Sequence, residues 1–128
     1  MARRAVGGAI TAVGIAILSQ VAQSVPASAG DAVVGAQVFE KCTACHRLDR
    51  NNVGPALKGV VGRRAGSAPG YSYTKDLKEA GFTWTTERLD EWLSNPRKMM
   101  RGTKMTFPGL PKAKDRENVI EFLKQSAK

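Results

Sequence analysis

A single histidine, two cysteines and a complete lack of acidic residues before Asp31 limit what this sequence can be. Two thiols cannot build the multi-bridge framework of a small stapled domain, and a bridge between Cys42 and Cys45 would close too small a loop to hold much of the chain. A zinc site takes four ligands, whereas the whole sequence offers two cysteines and one histidine. A thioredoxin-like redox pair belongs beside a βαβ pattern, and no stretch here alternates apolar and polar residues as a half-buried strand would. Internal repeats, low-complexity tracts and acidic blocks are also missing. With 128 residues, one small domain fits and two ordinary ones do not.

Residues 1–29 read as a processing segment. Arg3 and Arg4 precede an uncharged run from Ala5 to Val25, and Pro26-Ala27-Ser28-Ala29 then places small residues where a signal peptidase needs them. Cleavage before Gly30 is expected, leaving a domain of 99 residues, 30–128, in the periplasm. The competing reading is an uncleaved membrane anchor, because the run is just long enough to span a bilayer. Its many Gly, Ala, Ser and Thr residues make it weakly apolar, which favours removal. Two of the 20 basic residues lie in this segment, so 18 basic against 11 acidic residues leave +7 on the remaining chain. Such a charge bears on partners and association rate rather than on fold. Export disfavours nucleic acid and leaves acidic protein surfaces or an anionic membrane.

Helical periodicity is short and interrupted. Asp31 can cap a helix on which Val34, Val38, Cys42 and Cys45 recur at helical spacing, placing the cysteines at its end. From Arg47 to Pro69 the chain is rich in Gly, Pro, Asn and Arg and reads as an extended loop. A structureless loop of that length needs something else to organise it, and a large buried cofactor would do so. Ser72 to Ala80 predicts a short helix ended by Gly81. Thr85 or Thr86 caps another, with Leu89, Trp92 and Leu93 on one face and Asn95-Pro96 as its stop. Arg97 to Pro111 reads as a loop containing Met99, Met100 and Met105. A last helix from about Lys112 buries Val119, Ile120, Phe122 and Leu123.

Cys42-Thr43-Ala44-Cys45-His46 is a C-x-x-C-H run, the haem c attachment signature. Residues three apart share a face of a helical turn, so both thiols reach the two vinyl groups of one porphyrin while the next residue offers its imidazole to the iron. Covalent attachment suits an exported protein, which cannot easily recover a lost haem. A small domain with little core of its own gains a staple in this way. An iron held by one histidine needs a sixth ligand if it is to carry electrons without binding oxygen. His46 is the only histidine, which excludes a second imidazole and leaves Met99, Met100 or Met105.

Beyond the pentapeptide, the chain carries Gly54-Pro55, Gly62-Arg63, Ala68-Pro69-Gly70-Tyr71-Ser72-Tyr73, Trp84, Asn95-Pro96 and Gly102-Thr103-Lys104-Met105. In that order, and at matching spacing from Pro55 onward, these residues resemble the class I cytochrome c family, particularly bacterial cytochrome c2 and mitochondrial-type cytochrome c. The resemblance covers essentially 30–128. It implies an all-α cytochrome c fold, with about four to five short helices and long loops wrapped around one covalent haem. It further implies Cys42 and Cys45 as covalent attachment points, His46 and Met105 as axial iron ligands, and the Pro55 carbonyl as acceptor from the other His46 ring nitrogen. Arg63, Tyr73 and Trp84 match positions that neutralise or hydrogen-bond a buried haem propionate, and Thr103 and Phe107 match residues lining the methionine side. Gly35 and Phe39 match the contact of the first helix with the last, where Phe122 answers them.

The sequence departs from that pattern at Trp92, where mitochondrial relatives carry a tyrosine, and at Leu77, where they usually carry asparagine. Both changes remove hydrogen-bonding groups from the distal pocket, so the reduction potential is where they should tell. The loop between His46 and Pro55 is three residues shorter than in the mitochondrial proteins.

The function implied by the resemblance is single-electron transfer by a monomeric carrier, not catalysis. Lys41, Arg97, Lys98, Lys104 and Lys112 fall beside the haem motifs or at positions ringing the haem edge, which implies docking onto acidic faces of a bc1-type reductase or a dehydrogenase, and of an oxidase or photosynthetic reaction centre. Membranes are met only through those partners. The competing function is a haem-based sensor or peroxidase-like enzyme with a displaceable sixth ligand, and a dedicated acceptor for one periplasmic dehydrogenase is a narrower variant of the carrier reading.

Overall fold

The computed structural model describes residues 7–8 and 29–128; the expected signal segment falls almost wholly outside them. Five α-helices and one 3-10 turn make up the regular structure of the described residues. None of these helices is long and apolar enough to cross a membrane.

Helix α1, Ala32–Phe39, starts where Asp31 predicts: its side chain accepts from the amides of Val33 and Val34 at 2.8 and 3.1 Å. The buried face is Gly35, Val38 and Phe39, whereas Val34 is 39% exposed. The seam is therefore rotated by one residue from the expected stripe, because Gly35 is where the last helix comes close. That helix, α5, spans Ala113–Gln125 and buries Asn118, Val119, Ile120 and Leu123. Gly35 lies against the backbone carbonyl of Asn118, with no room for a side chain between the two helices. Phe39 and Phe122 stack at 5.2 Å, and Asn118 Oδ1 accepts from the Asp31 amide at 2.8 Å. Phe122, expected to be buried, is half-buried at the edge of this crossing.

A 3-10 turn, Glu40–Cys42, continues α1 and delivers the first cysteine. The next helix, α2, is only Lys75–Lys78, capped by the Thr74 hydroxyl. The expected Ser72–Ala80 span is trimmed because Ser72 and Tyr73 stay outside the helix, where the Tyr73 hydroxyl accepts from the buried amide of Ala68 at 3.1 Å. Gly81 does take the left-handed conformation, with φ +72°.

Helix α3, Thr86–Ser94, is capped by Thr85, whose hydroxyl accepts from the Arg88 amide at 3.2 Å, and it buries Leu89, Trp92 and Leu93. Asn95-Pro96 stops α3 as expected but also begins a helix where a loop was expected. Asn95 is extended, its side chain accepts from the Lys98 amide at 2.9 Å, and Pro96 occupies the first turn of α4, Pro96–Met99. Proline has no amide proton to lose at that position, so the residue that ends one helix suits the start of the next.

The remaining backbone is loop, pinned at a few points. Gly62, Ala65 and Trp84 exchange backbone hydrogen bonds with Trp84, Phe82 and Arg63 across one isolated antiparallel bridge, Arg64 to Thr83. No strand is formed among the described residues.

Candidate functional site

Cys42 to His46 form a tight turn, with the amides of Cys45 and His46 both donating to the Cys42 carbonyl at 3.1 and 2.8 Å. The Arg47 guanidinium donates to the carbonyls of Thr43 and His46, which fixes the turn's outer side. The two thiols are not joined to each other. Burial pushes the Cys42 thiol up, and the charge of neighbouring Lys41 opposes that only in part.

His46 is 9% exposed, and its Nδ1 lies 2.8 Å from the Pro55 carbonyl. A carbonyl can only accept, so Nδ1 carries the proton and Nε2 keeps its lone pair. Burial lowers the imidazole pKa, with the Pro55 hydrogen bond acting in the opposite direction. The neutral, metal-binding form is thereby favoured at neutral pH. Gly54 presses against the face of this ring, and a Cβ there would run into His46 Cε1 and Nδ1. The Gly54 amide in turn donates to the Cys45 carbonyl at 2.8 Å. Gly54-Pro55 thus sets both the position and the tautomer of the ring.

The turn opens onto a cavity of about 280 Å³, on the order of twenty times what one water requires. Its wall brings together Cys42, Cys45, His46, Pro55, Arg63, Tyr73, Trp84, Met105 and Phe107, nine of the ten residues expected from sequence. Thr103 does not line it. Its hydroxyl instead accepts from the Met105 amide at 3.1 Å and shapes the bend that presents Met105. Met99 and Met100 pack half-buried against the core and stay out of the cavity wall. Leu77 and Trp92, the two departures from the family pattern, both face the cavity. Thr74, Thr106, Val60 and Leu57 line it as well and were not singled out beforehand. Of these, Thr106 carries a sequence signal, since it lies between Met105 and Phe107.

Most of this wall is apolar, and its polar groups are few. Arg63 donates from Nη2 to the Ala56 carbonyl at 2.9 Å and from Nη1 to the Lys58 carbonyl at 3.4 Å, while its Nε is buried with no hydrogen-bond partner. Such an orphaned cationic donor is costly unless an anionic oxygen meets it. Tyr73 uses its oxygen as acceptor from Ala68, leaving its own proton to donate. Trp84 is held edge-on between Phe82 and Trp92, with ring centroids 4.9 and 5.3 Å away. The set fits a large apolar group with a metal at its centre and an acidic edge. Two thiols can anchor that group, a fixed imidazole and a thioether can ligate it, and Arg63 offers a buried cationic donor.

A model of the cytochrome c family matches residues 32–127. Cytochrome c2 of Rhodoblastus acidophilus is 46% identical over 100 residues, covering 76% of this chain and 94% of that protein. Cytochrome c of Gibberella zeae is 48% identical over 103 residues, covering 77% of this chain and 97% of that one. Among solved structures, cytochrome cH from Methylobacterium extorquens superposes with a TM-score of 0.73 at 46% identity, over 75% of this chain and 99% of that chain.

Proposed function

This chain belongs to the class I cytochrome c family, and we propose that it is a periplasmic one-electron shuttle whose single haem c is anchored by Cys42 and Cys45 and ligated by His46 and Met105. At the coarser level it is a haem c electron carrier and not an enzyme, as its relatives are. The observation that carries the finer reading is the cavity wall itself, where the C-x-x-C-H turn and Met105 share one apolar space with Arg63, whose Nε is buried without a hydrogen-bond partner.

Bound haem supplies the redox couple of its iron. The chain's own residues do the rest. Pro55 and Gly54 hold the His46 ring with Nε2 free to ligate. Thr103 bends the chain so that Met105 is presented. Arg63, Tyr73 and Trp84 would hold the haem's propionate edge, where an unpaired buried charge would be costly. At their own two positions Leu77 and Trp92 offer the cavity no hydrogen-bonding group but the indole N–H, and hydrogen bonding is one of the levers on potential.

Lys41, Arg97, Lys98, Lys104 and Lys112 are all exposed, and Lys41 and Lys104 reach the cavity mouth. They form the surface on which an acidic face of a bc1-type reductase or dehydrogenase, and then of an oxidase or reaction centre, docks in weak, salt-sensitive encounters. Residues 1–29 act as a cleaved signal, and the carrier works as a monomer.

Two measurements test this reading. Protein purified from periplasm should have the mass of a chain beginning at Gly30 plus one haem; a chain retaining residues 1–29 would overturn the processing claim. The ferric protein should show the far-red sulphur-to-iron band, and Met105→Ala should abolish it. Persistence of the band in that variant would overturn the ligand assignment.

A further inference from the structure

The segment carrying Met105 is tied down at its far end by a charge pair that lies outside the cavity wall. Arg116, in the first turn of α5, has a side chain only 13% exposed and places Nε 2.7 Å from Asp90 Oδ1 on α3. Its Nη1 donates to the carbonyls of Leu110 and Pro111 at 2.8 and 3.2 Å. Leu110 is 2% exposed, and its own amide donates to the Leu93 carbonyl on α3 at 2.7 Å. Both backbone groups of Leu110 are therefore held, one directly by α3 and the other by an arginine that α3 itself holds. Just before it, Gly109 takes φ +110° with its Cα against the Ser94 carbonyl, a fit that admits no side chain. At the near end, Lys104 donates to the Ser72 carbonyl and sits over the Tyr71 ring at 4.7 Å. Met105 rides on the short span between those two fixed points.

The other ion pairs among the described residues differ in kind. Arg50 with Asp49, Arg88 with Glu91 and Lys114 with Glu117 are local in sequence, and their side chains are 49–71% exposed. Pairs of that sort contribute little. Asp90 and Arg116 are 26 residues apart, one of them is nearly buried, and the arginine's remaining donors go to loop carbonyls. Charge-assisted bonds in such a place are stronger and less screened.

We propose that the Asp90–Arg116 pair is a latch on the Met105 segment, and that Arg116 is a positioning residue which sets how readily Met105 lifts from the iron. This rests on Met105 being the sixth ligand. The latch predicts local opening: without it, Leu110 and the residues before it should detach from α3 while the α1–α5 crossing stays closed.

The test uses the haem-loaded protein and the variants Asp90→Asn, Arg116→Gln and Arg116→Lys, with Gly35→Ala as a control that weakens the α1–α5 crossing instead. Native-state hydrogen exchange is read at the Leu110 and Val119 amides, and entry of imidazole is followed by loss of the far-red band. Arg116→Gln should speed exchange at Leu110 relative to Val119 by about tenfold, the factor equivalent to ~1.4 kcal/mol, and speed imidazole entry by a similar factor. Arg116→Lys should fall between it and the parent, since an ammonium can reach one carbonyl but cannot form the fork. Gly35→Ala should speed both amides alike. Equal acceleration of Leu110 and Val119 in the latch variants, or imidazole entry unchanged from the parent, would overturn the proposal. Should Arg116→Gln fail to fold, Asp90→Asn decides by the same two readouts, because it leaves the guanidinium in place. A far-red band that survives in Met105→Ala would instead overturn the ligand assignment, and the exchange result would stand on its own.

Discussion

Replacing Gly35 by alanine sets two effects of opposite sign against each other, and the geometry decides between them. In an exposed helix interior, alanine in place of glycine stabilises by about 1 kcal/mol. At Gly35, however, the added methyl would fall on the carbonyl oxygen of Asn118, with Phe122 Cβ next at 2.8 Å. Neither obstacle can rotate aside, because one is mid-helix backbone and the other is the root of a side chain, so the helices must separate. Overpacking of that kind costs ~1–3 kcal/mol. Separation also loosens the Phe39–Phe122 pair, a contact type worth ~0.5–1.5 kcal/mol beyond its burial. It further stretches the Asp31–Asn118 hydrogen bond, whose kind contributes ~0.5–1.5 kcal/mol. With those last two losses partial, the net effect is a destabilisation of about 2 kcal/mol. For a domain of this size that lowers Tm by roughly 8–16 °C. Thermal and urea unfolding of the haem-loaded protein, followed by circular dichroism, measures it directly. A Tm equal to or above that of the parent would show that propensity wins and that the α1–α5 crossing is not close-packed at Gly35.

Gly54→Ala drives a methyl into the His46 ring, so the imidazole can no longer hold its place against Pro55; the yield of protein with a six-coordinate optical spectrum, measured as haem absorbance per polypeptide, should fall several-fold, and a normal yield would refute the cradle. Glu87 offers a pH test. Its carboxyl is held below the usual 4.5 by its own backbone amide and by the Thr86 and Thr85 hydroxyls at the start of α3. The unfolded chain therefore takes up this proton at a higher pH than the folded chain does. The stability Glu87 contributes is complete above the unfolded value and is lost as pH falls through the folded one. Glu87→Gln removes that contribution, so the gap between parent and variant in urea unfolding should be present near neutrality and close as the pH is lowered below the usual 4.5 and through the folded value. A gap that widened on acidification would contradict the assignment.

Two helix starts are legible because capping is local chemistry: Asp31 and Thr85 sit beside the amides they accept from, and the residues alone point to Asp31 for the first helix and to Thr85 or Thr86 for the other. What the sequence hid was each choice made at a distance. Val34 reads as part of the α1 seam by periodicity, yet the close approach of α5 at Gly35 turns the helix so that Val34 is 39% exposed. Asn95-Pro96 reads as a stop, yet asparagine followed by proline equally suits an N-cap and first helical position, and the structure uses the pair both ways. At the site, the C-x-x-C-H turn is contiguous and can be read directly, whereas the family resemblance is what separates Met105 from Met99 and Met100. The fork of Arg63 onto Ala56 and Lys58, which leaves Nε buried without a partner, depends on a loop fold with no periodic pattern. Thr103 illustrates the same limit: the family pattern marks it beside the ligand, but only the backbone shows it bonded to the Met105 amide, away from the cavity wall.

The hydrophobic core and the cofactor cavity are largely the same residues. Of the twelve buried residues that form the core, eight also line the cavity: Phe39, Val60, Trp84, Leu89, Trp92, Leu93, Val119 and Leu123. Packing between polypeptide segments alone therefore cannot complete the interior, and a small domain of short helices has little else to draw on. The long loops are held to one another by scattered bonds such as Asn51 to the Pro69 carbonyl and Tyr71 to the Val53 carbonyl, each worth only about 1 kcal/mol net. Stability must then come from whatever fills the cavity, and the covalent anchor becomes a folding requirement as much as a means of retention. The double variant Cys42→Ser, Cys45→Ser, produced without covalent attachment, should consequently lose its cooperative thermal transition and show a gradual, low-helicity profile by far-ultraviolet circular dichroism. A sharp two-state melt of the cofactor-free variant would mean that the four core residues outside the cavity, together with the α1–α5 crossing, suffice to hold the fold, and the identity of core and cavity would then have no energetic weight.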